Sequence, residues 1–257
     1  MKPPFELRDG GFLIEVDVLE VIAEQIVTSE TGGIVTSKVM RGKTKENGMK
    51  NRLGIYIFNG AEVIDWAGPA GVFAVARRMD PELDAFLVGD SLVPVMTTAN
   101  LMVNPRYGLD QRPDMDAFLI PGGIGTRAEM HNARLIEFVR GLPEKTLLVS
   151  VCTGSWVYGK AGLLDGIPAT SRKNGDPHEK IVPIDRLAEI APKAVIDRHR
   201  IVASGRIITA GGITSGLETG LYLLERFGYD DQFVADVARI MEYENQWQLM
   251  KDDRLVV

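Results

Sequence analysis

From Leu53 onward, short apolar runs alternate with longer segments whose apolar residues recur at helical spacing. The short runs are rich in Val, Ile, Leu and Phe and show little polar alternation, which is typical of strands covered by helices on both faces. The pattern predicts strands at Leu53–Phe58, Asp84–Gly89, Asp116–Ile120, Thr146–Val151 and Ile207–Thr209.

The segments between these runs have the periodicity of amphipathic helices. They predict helices at Pro69–Met79, Arg127–Gly141, Thr153–Leu164, Glu179–Ile190, Ser215–Phe227 and Asp231–Asn245. Two further runs, Ala194–Ile196 and Ile201–Ala203, predict an additional hairpin-like pair. The alternation of strands and helices predicts an α/β fold with a doubly wound, mostly parallel sheet, in which ligands bind at the carboxyl ends of the strands.

The first fifty residues have a different character. The stretch from Thr28 to Asn51 is polar, contains glycine and is rich in lysine, as linkers are. We therefore predict a folded domain at 49–257, preceded by an N-terminal extension at 1–48. That extension could be an appendage, an arm that binds a partner, or an artefact of an upstream start codon.

The composition narrows the class of protein. The chain has 257 residues, of which 45% are hydrophobic, enough for one sizeable α/β core. A net charge of −6 argues against nucleic acid as the main partner. No apolar run approaches the roughly 18–20 residues of a membrane span, and the start lacks the features of a secretory signal. We expect a cytoplasmic protein that acts on a small molecule.

Metals, cofactors and disulfides are not expected either. The three histidines form no tight cluster with cysteine or acidic residues, which makes a structural zinc site improbable. The one cysteine excludes an intrachain disulfide, and a thiol-based site fits a reducing compartment.

That cysteine, Cys152, lies at the end of an apolar run and directly before a turn of small residues that opens a predicted helix. A strand-turn-helix elbow exposes a nucleophile, and the helix N-terminus is expected to lower the thiol pKa. The alternative is a buried structural thiol, because free cysteine is among the most buried residue types. The pattern alone leaves both interpretations open.

Asp65 follows the first predicted strand and lies between Ile64 and Trp66. An acid in apolar surroundings has a raised pKa and can donate a proton. The alternative, which the Gly-Pro after it favours, is that Asp65 caps the N-terminus of the following helix.

Two glycine-rich loops follow predicted strands. The first, Ile120-Pro-Gly-Gly-Ile-Gly-Thr126, can aim amide groups at a developing anion beside Cys152, or it can be a plain tight turn. It also fits a loose dinucleotide-binding pattern, which we discount because it follows the third strand and no acid closes the next one. The second, Ala210-Gly-Gly-Ile-Thr-Ser-Gly216, can line the same pocket or allow close packing.

Taken in order, these motifs resemble the ThiJ/PfpI superfamily. They are Asp65-x-x-Gly-Pro, Ile-Pro-Gly-Gly, Val-Cys-Thr-Gly, Gly-Leu-Leu-Asp-Gly-x-Pro-Ala-Thr and Gly-Gly-Ile-Thr-Ser-Gly, and they span about residues 53–245. The resemblance implies a flavodoxin-like fold of the glutamine amidotransferase type, with Cys152 as the elbow nucleophile. It also places Asp65 at the acid facing the elbow, which reverses the preference for a cap.

Within the superfamily the chain is most similar to isocyanide hydratases. The resemblance implies that the Cys152 thiolate attacks the isocyanide carbon while Asp65 relays protons, so that a thioimidate is hydrolysed to a formamide. It implies that the Thr153 hydroxyl positions substrate or water and that the Thr153 backbone contributes to an oxyanion site. The amides of Gly123 and Ile124 supply the rest of that site, with Gly122 beside them. It further implies a homodimer and no cofactor.

One departure from the family concerns histidine. Many members have Thr-His after the Ala-Thr pair, whereas this chain continues with Ser171, Arg172 and Lys173. A Cys-His dyad of the peptidase type is therefore not expected. Arg172 is a candidate for lowering the thiol pKa or binding an anionic substrate, and His178 for replacing the histidine in space, although a solvated loop position suits His178 better.

Two other classes of function are open beside the hydratase. In a redox or stress protein, Cys152 is oxidised to a sulfinate that a protonated Asp65 holds. In a ligand-sensing regulator, the domain is attached to a helix-turn-helix module, and we expect no such module here because about 100 more residues would be needed.

Overall fold

The computed structural model describes residues 51–257. The predicted extension at 1–48 lies outside the described residues. Within residues 51–257, no helix combines the length and the apolar character that crossing a bilayer requires.

The described chain contains twelve strands. They are β1 (Arg52–Tyr56), β2 (Asp84–Gly89), β3 (Val95–Met96), β4 (Met102–Val103), β5 (Tyr107–Gly108), β6 (Ala117–Ile120), β7 (Leu147–Val151), β8 (Pro168–Ala169), β9 (Val195–Ile196), β10 (Ile201–Ser204), β11 (Ile207–Ala210) and β12 (Arg254–Val256). Eight of them form one sheet in the order β12-β10-β11-β7-β6-β1-β2-β5. Neighbours in this sheet are parallel except β10 and β11, so the predicted mostly parallel sheet is confirmed.

Helices cover both faces of this sheet. They are α1 (Val63–Ala76), α2 (Thr126–Glu129), α3 (Ala133–Arg140), α4 (Ser155–Lys160), α5 (Pro183–Ile190), α6 (Ser215–Arg226), α7 (Asp231–Ile240) and α8 (Glu244–Lys251). Because successive side chains of a strand point to opposite faces, β7 places Val149 and Val151 in one core cluster and Leu148 in the other. The first cluster includes residues of α1, α6, α7 and α8, and the second includes residues of α3, α4 and α5.

Helix α1 begins six residues before the predicted start at Pro69. Proline lacks the N–H that would bind the carbonyl of Asp65, and α1 nevertheless continues through it. Gly216 of α6 lies against this turn, since a Cβ built on it would be 2.7 Å from the carbonyl oxygen of Ile64. The close approach of α6 to α1 thus falls where Gly68 and Gly216 have no side chains.

The predicted pairing of Ala194–Ile196 with Ile201–Ala203 is wrong. Strand β9 instead pairs with β8, and β10 pairs with β11 in an antiparallel hairpin. The two-residue turn of that hairpin contains Gly205, whose positive φ of 56° suits a tight turn. The predicted helix at 127–141 is also interrupted, because the side chain of Asn132 caps a new helix by accepting a hydrogen bond from the amide of Leu135.

Candidate active site

Cys152 lies at the carboxyl end of β7, as predicted, on a turn between this strand and α4. Its φ of 58° is positive, which is uncommon and strained for a residue other than glycine. Its amide donates a 2.8 Å hydrogen bond to the carbonyl of Gly211, and its carbonyl accepts a 2.9 Å bond from the hydroxyl of Ser171. These bonds hold the elbow, while the side chain is 3% exposed at the floor of a cavity.

Asp65 is fully buried in the first turn of α1. The helix cap is Glu62, whose side chain accepts a 3.0 Å hydrogen bond from the amide of Val63, so the interpretation of Asp65 as the cap is wrong. One carboxyl oxygen of Asp65, Oδ2, accepts a 2.8 Å bond from the amide of Gly122. The other oxygen, Oδ1, has no well-aligned hydrogen-bond partner in the described chain. The Cys152 thiol is the side chain that interacts with the Asp65 carboxyl by hydrogen bonding and lowers its pKa.

Burial raises the pKa of Asp65 well above its usual range, and the charge of Glu62 raises it further. Burial, followed by the charge of Asp65, also raises the pKa of Cys152. The amide of Thr153 at the start of the helical turn lowers the thiol pKa, as expected, but burial outweighs it, so the pKa of Cys152 is raised overall. A neighbouring acid and thiol of this kind titrate together, so the loss of one proton leaves a single negative charge for the pair to share.

Two residues stabilise negative charge on the sulfur. The amide and the hydroxyl of Thr153 both act on Cys152 as hydrogen-bond donors and lower the pKa of the thiol. The positive charge of Arg172 lowers it as well. The Thr153 hydroxyl also accepts a 3.2 Å bond from the amide of Gly123 and lies 2.9 Å from the hydroxyl of Thr126.

The three amides assigned to an oxyanion site have different environments. The amide of Gly122 is bound by Asp65, so it positions the acid instead of pointing at a substrate oxygen. The amide of Gly123 is bound by Thr153. The amide of Ile124 has no acceptor in the described part of the chain, which leaves it and the amide of Thr153 as the donors available to an anion.

The loop after β6 needs glycine where it passes the elbow. A Cβ built on Gly122 would lie 2.7 Å from the Cβ of Cys152 and 2.7 Å from the amide nitrogen of Thr153. Gly123 has a φ of 116°, which other residues rarely adopt. The Pro-Gly-Gly sequence thus lets this loop pass directly against the nucleophile.

The elbow opens into a cavity of about 170 Å³. Six of the residues lining it are polar or charged, and Ile124 and Ile213 supply apolar walls. The lining consists of Glu62, Thr98, Gly123, Ile124, Arg127, Cys152, Thr153, Arg172, Asp176 and Ile213. The second glycine loop has both of its predicted roles, since Ile213 lines the cavity while Gly216 allows helix packing.

Arg172 lies in the wall of this cavity, near the position where the family has histidine. It forms ion pairs with Asp176 at 3.1 Å and with Glu179 at 2.6 Å, and Glu179 also pairs with Arg127. His178 is exposed and is not part of the cavity wall, as its solvated-loop interpretation predicted. In the described chain, no group of three or more His, Cys, Asp or Glu side chains is arranged to hold a metal ion.

Sequence reasoning missed several residues of the site. Glu62 lies three residues before Asp65, a spacing that places both on one face of a helix and was a usable signal. Thr98 comes from the loop between the short strands β3 and β4, and its hydroxyl donates a 3.3 Å bond to Glu62. Thr126, which bonds to Thr153, lies at the start of a four-residue helix that the pattern merged with its neighbour.

Comparison with known proteins identifies the family of this fold and site. The family model described as "DJ-1/PfpI family" matches residues 51–226. The chain belongs to the DJ-1/PfpI family. The ThiJ/PfpI resemblance drawn from the five motifs is therefore confirmed.

Relatives within the family have different activities. The chain is 31% identical over 178 residues to an isonitrile hydratase of Pseudomonas putida. The aligned region covers 69% of this chain and 72% of that protein. It is 23% identical over 150 residues to the helix-turn-helix transcriptional regulator GbdR of Pseudomonas aeruginosa, covering 58% of this chain and 38% of the regulator.

Solved structures agree on the fold. A THiJ/PfpI family protein from Pseudomonas syringae matches with a TM-score of 0.65 at 25% identity, covering 79% of this chain and 87% of that one. DJ-1beta of Drosophila melanogaster matches with a TM-score of 0.62 at 20% identity, covering 76% and 98%. The second likeness is one of fold alone.

Proposed function

We propose that this protein hydrates a small organic isocyanide to an N-substituted formamide, with Cys152 as nucleophile and Asp65 as proton carrier. The observation that carries the proposal is the contact between a strained elbow thiol and a buried acid whose raised pKa keeps a proton available. The 31% identity to an isonitrile hydratase supports the choice of substrate class.

In the first step, the thiolate of Cys152 attacks the terminal carbon of the isocyanide. A sulfur–carbon bond forms, and the carbon takes the proton of Asp65, which gives a thioimidate and a carboxylate. The raised pKa of Asp65 suits this transfer because a protonated carboxyl is the required donor.

In the second step, water adds across the carbon–nitrogen double bond of the thioimidate. Asp65 accepts a proton from the water as its oxygen bonds to carbon, and passes that proton to nitrogen. Collapse of the resulting adduct breaks the sulfur–carbon bond, returns the hydroxyl proton to Asp65 and releases the formamide. Ile124 lines the same cavity as Cys152, and its amide, which has no acceptor among the described residues, would be the donor for negative charge that develops on the oxygen.

The test is an assay for formamide formation with a simple alkyl isocyanide. Native protein should turn over, whereas Cys152→Ala and Cys152→Ser should not. Ser150→Ala is a matched control, because Ser150 is buried two residues earlier on β7 and lies outside the cavity, and its hydroxyl has no hydrogen-bond partner within residues 51–257. Absence of turnover by the native protein over a panel of isocyanides would contradict the proposal.

Oxidation of Cys152 is a second candidate function, and one observation favours it. Oδ1 of Asp65 is buried and has no well-aligned partner among the described residues, and the Cys152 thiol acts on the same carboxyl, so the protonated acid could donate to an oxygen on sulfur. Each of two equivalents of peroxide would transfer one oxygen to sulfur and leave as water, which takes the thiolate to sulfenate and then to sulfinate.

Mass spectrometry separates the two candidates. A redox protein should gain two oxygens on Cys152 with a small excess of peroxide, and Asp65→Ala should stop the reaction short of the sulfinate. If mild peroxide leaves the mass of the protein unchanged, the redox function is contradicted. The hydratase proposal does not depend on this result.

A further inference from the structure

The guanidinium of Arg172 holds the carboxylate of Asp176 in a bidentate, end-on pair. Nη1 donates to Oδ1 at 3.2 Å and Nη2 donates to Oδ2 at 3.1 Å. Two parallel bonds of this kind are how arginine binds a planar carboxylate, whether it belongs to the protein or to a ligand.

The two partners of this pair differ in exposure. The side chain of Arg172 is 16% exposed, whereas that of Asp176 is 66% exposed. An ion pair with so exposed a partner contributes little to stability, because water solvates the free carboxylate well. Asp176 can therefore leave the fork of Arg172 at little cost.

Arg172 would stay in place if Asp176 left. Glu179 is only 17% exposed and accepts a 2.6 Å bond from Nη2 of Arg172. The second oxygen of Glu179 pairs with Arg127, whose guanidinium lies over the ring of Trp156. Glu179 thus holds the Arg172 guanidinium in place, and the exposed Asp176 is the partner that another carboxylate can replace.

This fork belongs to the lining of the cavity that contains the nucleophile. Arg172, Asp176 and Cys152 line the same cavity of about 170 Å³, and the charge of Arg172 acts on the thiol. The two arginines and two acids of the cluster carry no net charge, so exchange of Asp176 for another carboxylate preserves the balance. Glu62 also lines the cavity, and its negative charge repels anions. We therefore expect the cavity to accept a ligand with one anionic group, bound by Arg172.

We propose that Arg172 is the receptor for a carboxylate carried by the substrate, and that Asp176 occupies this receptor in the free protein. Combined with the proposed function, on which this part rests, the substrate class is a small isocyanide that carries a carboxylate. A neutral isocyanide would leave Asp176 on the fork and gain nothing from it.

The receptor can be tested without any isocyanide, by alkylation of Cys152. Iodoacetate and iodoacetamide both transfer their methylene carbon to the thiolate with loss of iodide, but only iodoacetate carries a carboxylate. The ratio of the iodoacetate rate to the iodoacetamide rate is independent of the ionised fraction of the thiol, because both reagents react with the same thiolate. Dividing it by the same ratio for free cysteine removes the difference in reactivity between the reagents. Asp176→Asn should raise this ratio and Arg172→Gln should lower it, each by roughly tenfold, the worth of one charge-assisted hydrogen-bond pair.

Two further variants separate the fork from general electrostatics. Arg172→Lys keeps the charge but lacks the fork, so it should also lower the ratio. Glu62→Gln removes a negative charge from the same cavity without freeing the fork, so it should raise the ratio less than Asp176→Asn does. The proposal is overturned if the two Arg172 variants leave the ratio unchanged, or if Glu62→Gln matches Asp176→Asn.

The substrate class is tested by comparing isocyanoacetate with isocyanoacetamide. We expect a higher kcat/KM for isocyanoacetate, and loss of that preference in Arg172→Gln. Equal kcat/KM values in the native protein would overturn the substrate class while hydration stands. If neither compound is hydrated although simple alkyl isocyanides are, the substrate class is overturned and hydration stands. If no isocyanide is hydrated, the proposed function fails, and the alkylation ratio alone decides whether Arg172 is a carboxylate receptor.

Discussion

The amide nitrogen of Gly122 lies 2.8 Å from Oδ2 of Asp65, and this bond joins the loop after β6 to the acid beside the nucleophile. The same glycine lies so close to Cys152 that a Cβ on it would be 2.7 Å from the Cβ of the cysteine. One residue therefore fixes both the orientation of the acid and the space around the thiol.

Gly122→Ala should consequently damage the site and the fold together. The added methyl group must displace the elbow backbone, and overpacking of this kind costs about 1–3 kcal/mol of unfolding free energy. We expect this loss in urea denaturation. The pH profile of Cys152 alkylation should also shift to lower pH, because the acid whose charge raises the thiol pKa moves away.

Gly71→Ala is the matched control for that substitution. Gly71 lies in α1, and a Cβ on it would meet no atom of the described residues within 4 Å. Replacement of a helical glycine by alanine should raise the unfolding free energy by about 0.5–1 kcal/mol. If Gly122→Ala were as stable as the native protein, the close packing of the loop against the elbow would be refuted.

The elbow, the acid and the glycine loops of the site could be predicted from the sequence, because each is indicated by residues adjacent to it in the chain. The run before Cys152 and the small residues after it predicted the elbow, and the elbow is present. Asp65 and the glycine loops were also found, since each follows a predicted strand at the carboxyl edge of the sheet.

What the sequence could not predict depends on distant contacts. The sign of the pKa shift of Cys152 is set by burial and by Asp65, 87 residues earlier in the chain, whereas the pattern shows only the adjacent helix. Thr98 enters the cavity from a short hairpin that has no periodicity to detect. The cluster around Glu179 likewise exists only once the loop containing Arg172 has folded back on itself.

Asp65→Asn should preserve the fold and slow the chemistry. An asparagine oxygen can still accept the bond from the Gly122 amide, but the side chain cannot carry a proton. If the hydratase proposal is correct, kcat for formamide formation should fall by roughly 10²–10⁴-fold. Full activity in this variant would show that the proton comes from another group.

The same variant should change how stability depends on pH. Burial raises the pKa of Asp65 in the folded protein above its unfolded value of about 3.9, so the folded state holds this proton more tightly. The stabilisation is complete below the unfolded pKa and is lost as pH rises toward the folded one. The urea midpoint of Asp65→Asn minus that of the native protein should therefore increase as the pH is raised from 4 to 8. Parallel curves would contradict the raised pKa.

Thr153→Val should raise the pKa of Cys152 further. The Thr153 hydroxyl lowers that pKa by bonding to the sulfur, and valine has the same shape without the donor. The pH profile of alkylation by iodoacetamide should shift to higher pH, and the unbound Gly123 amide should cost about 1–3 kcal/mol of unfolding free energy. Thr98→Val is the control, because that hydroxyl bonds to Glu62 and should leave the profile in place. An unshifted profile in Thr153→Val would assign the stabilisation of the thiolate to the amide of residue 153 and the charge of Arg172, without the hydroxyl.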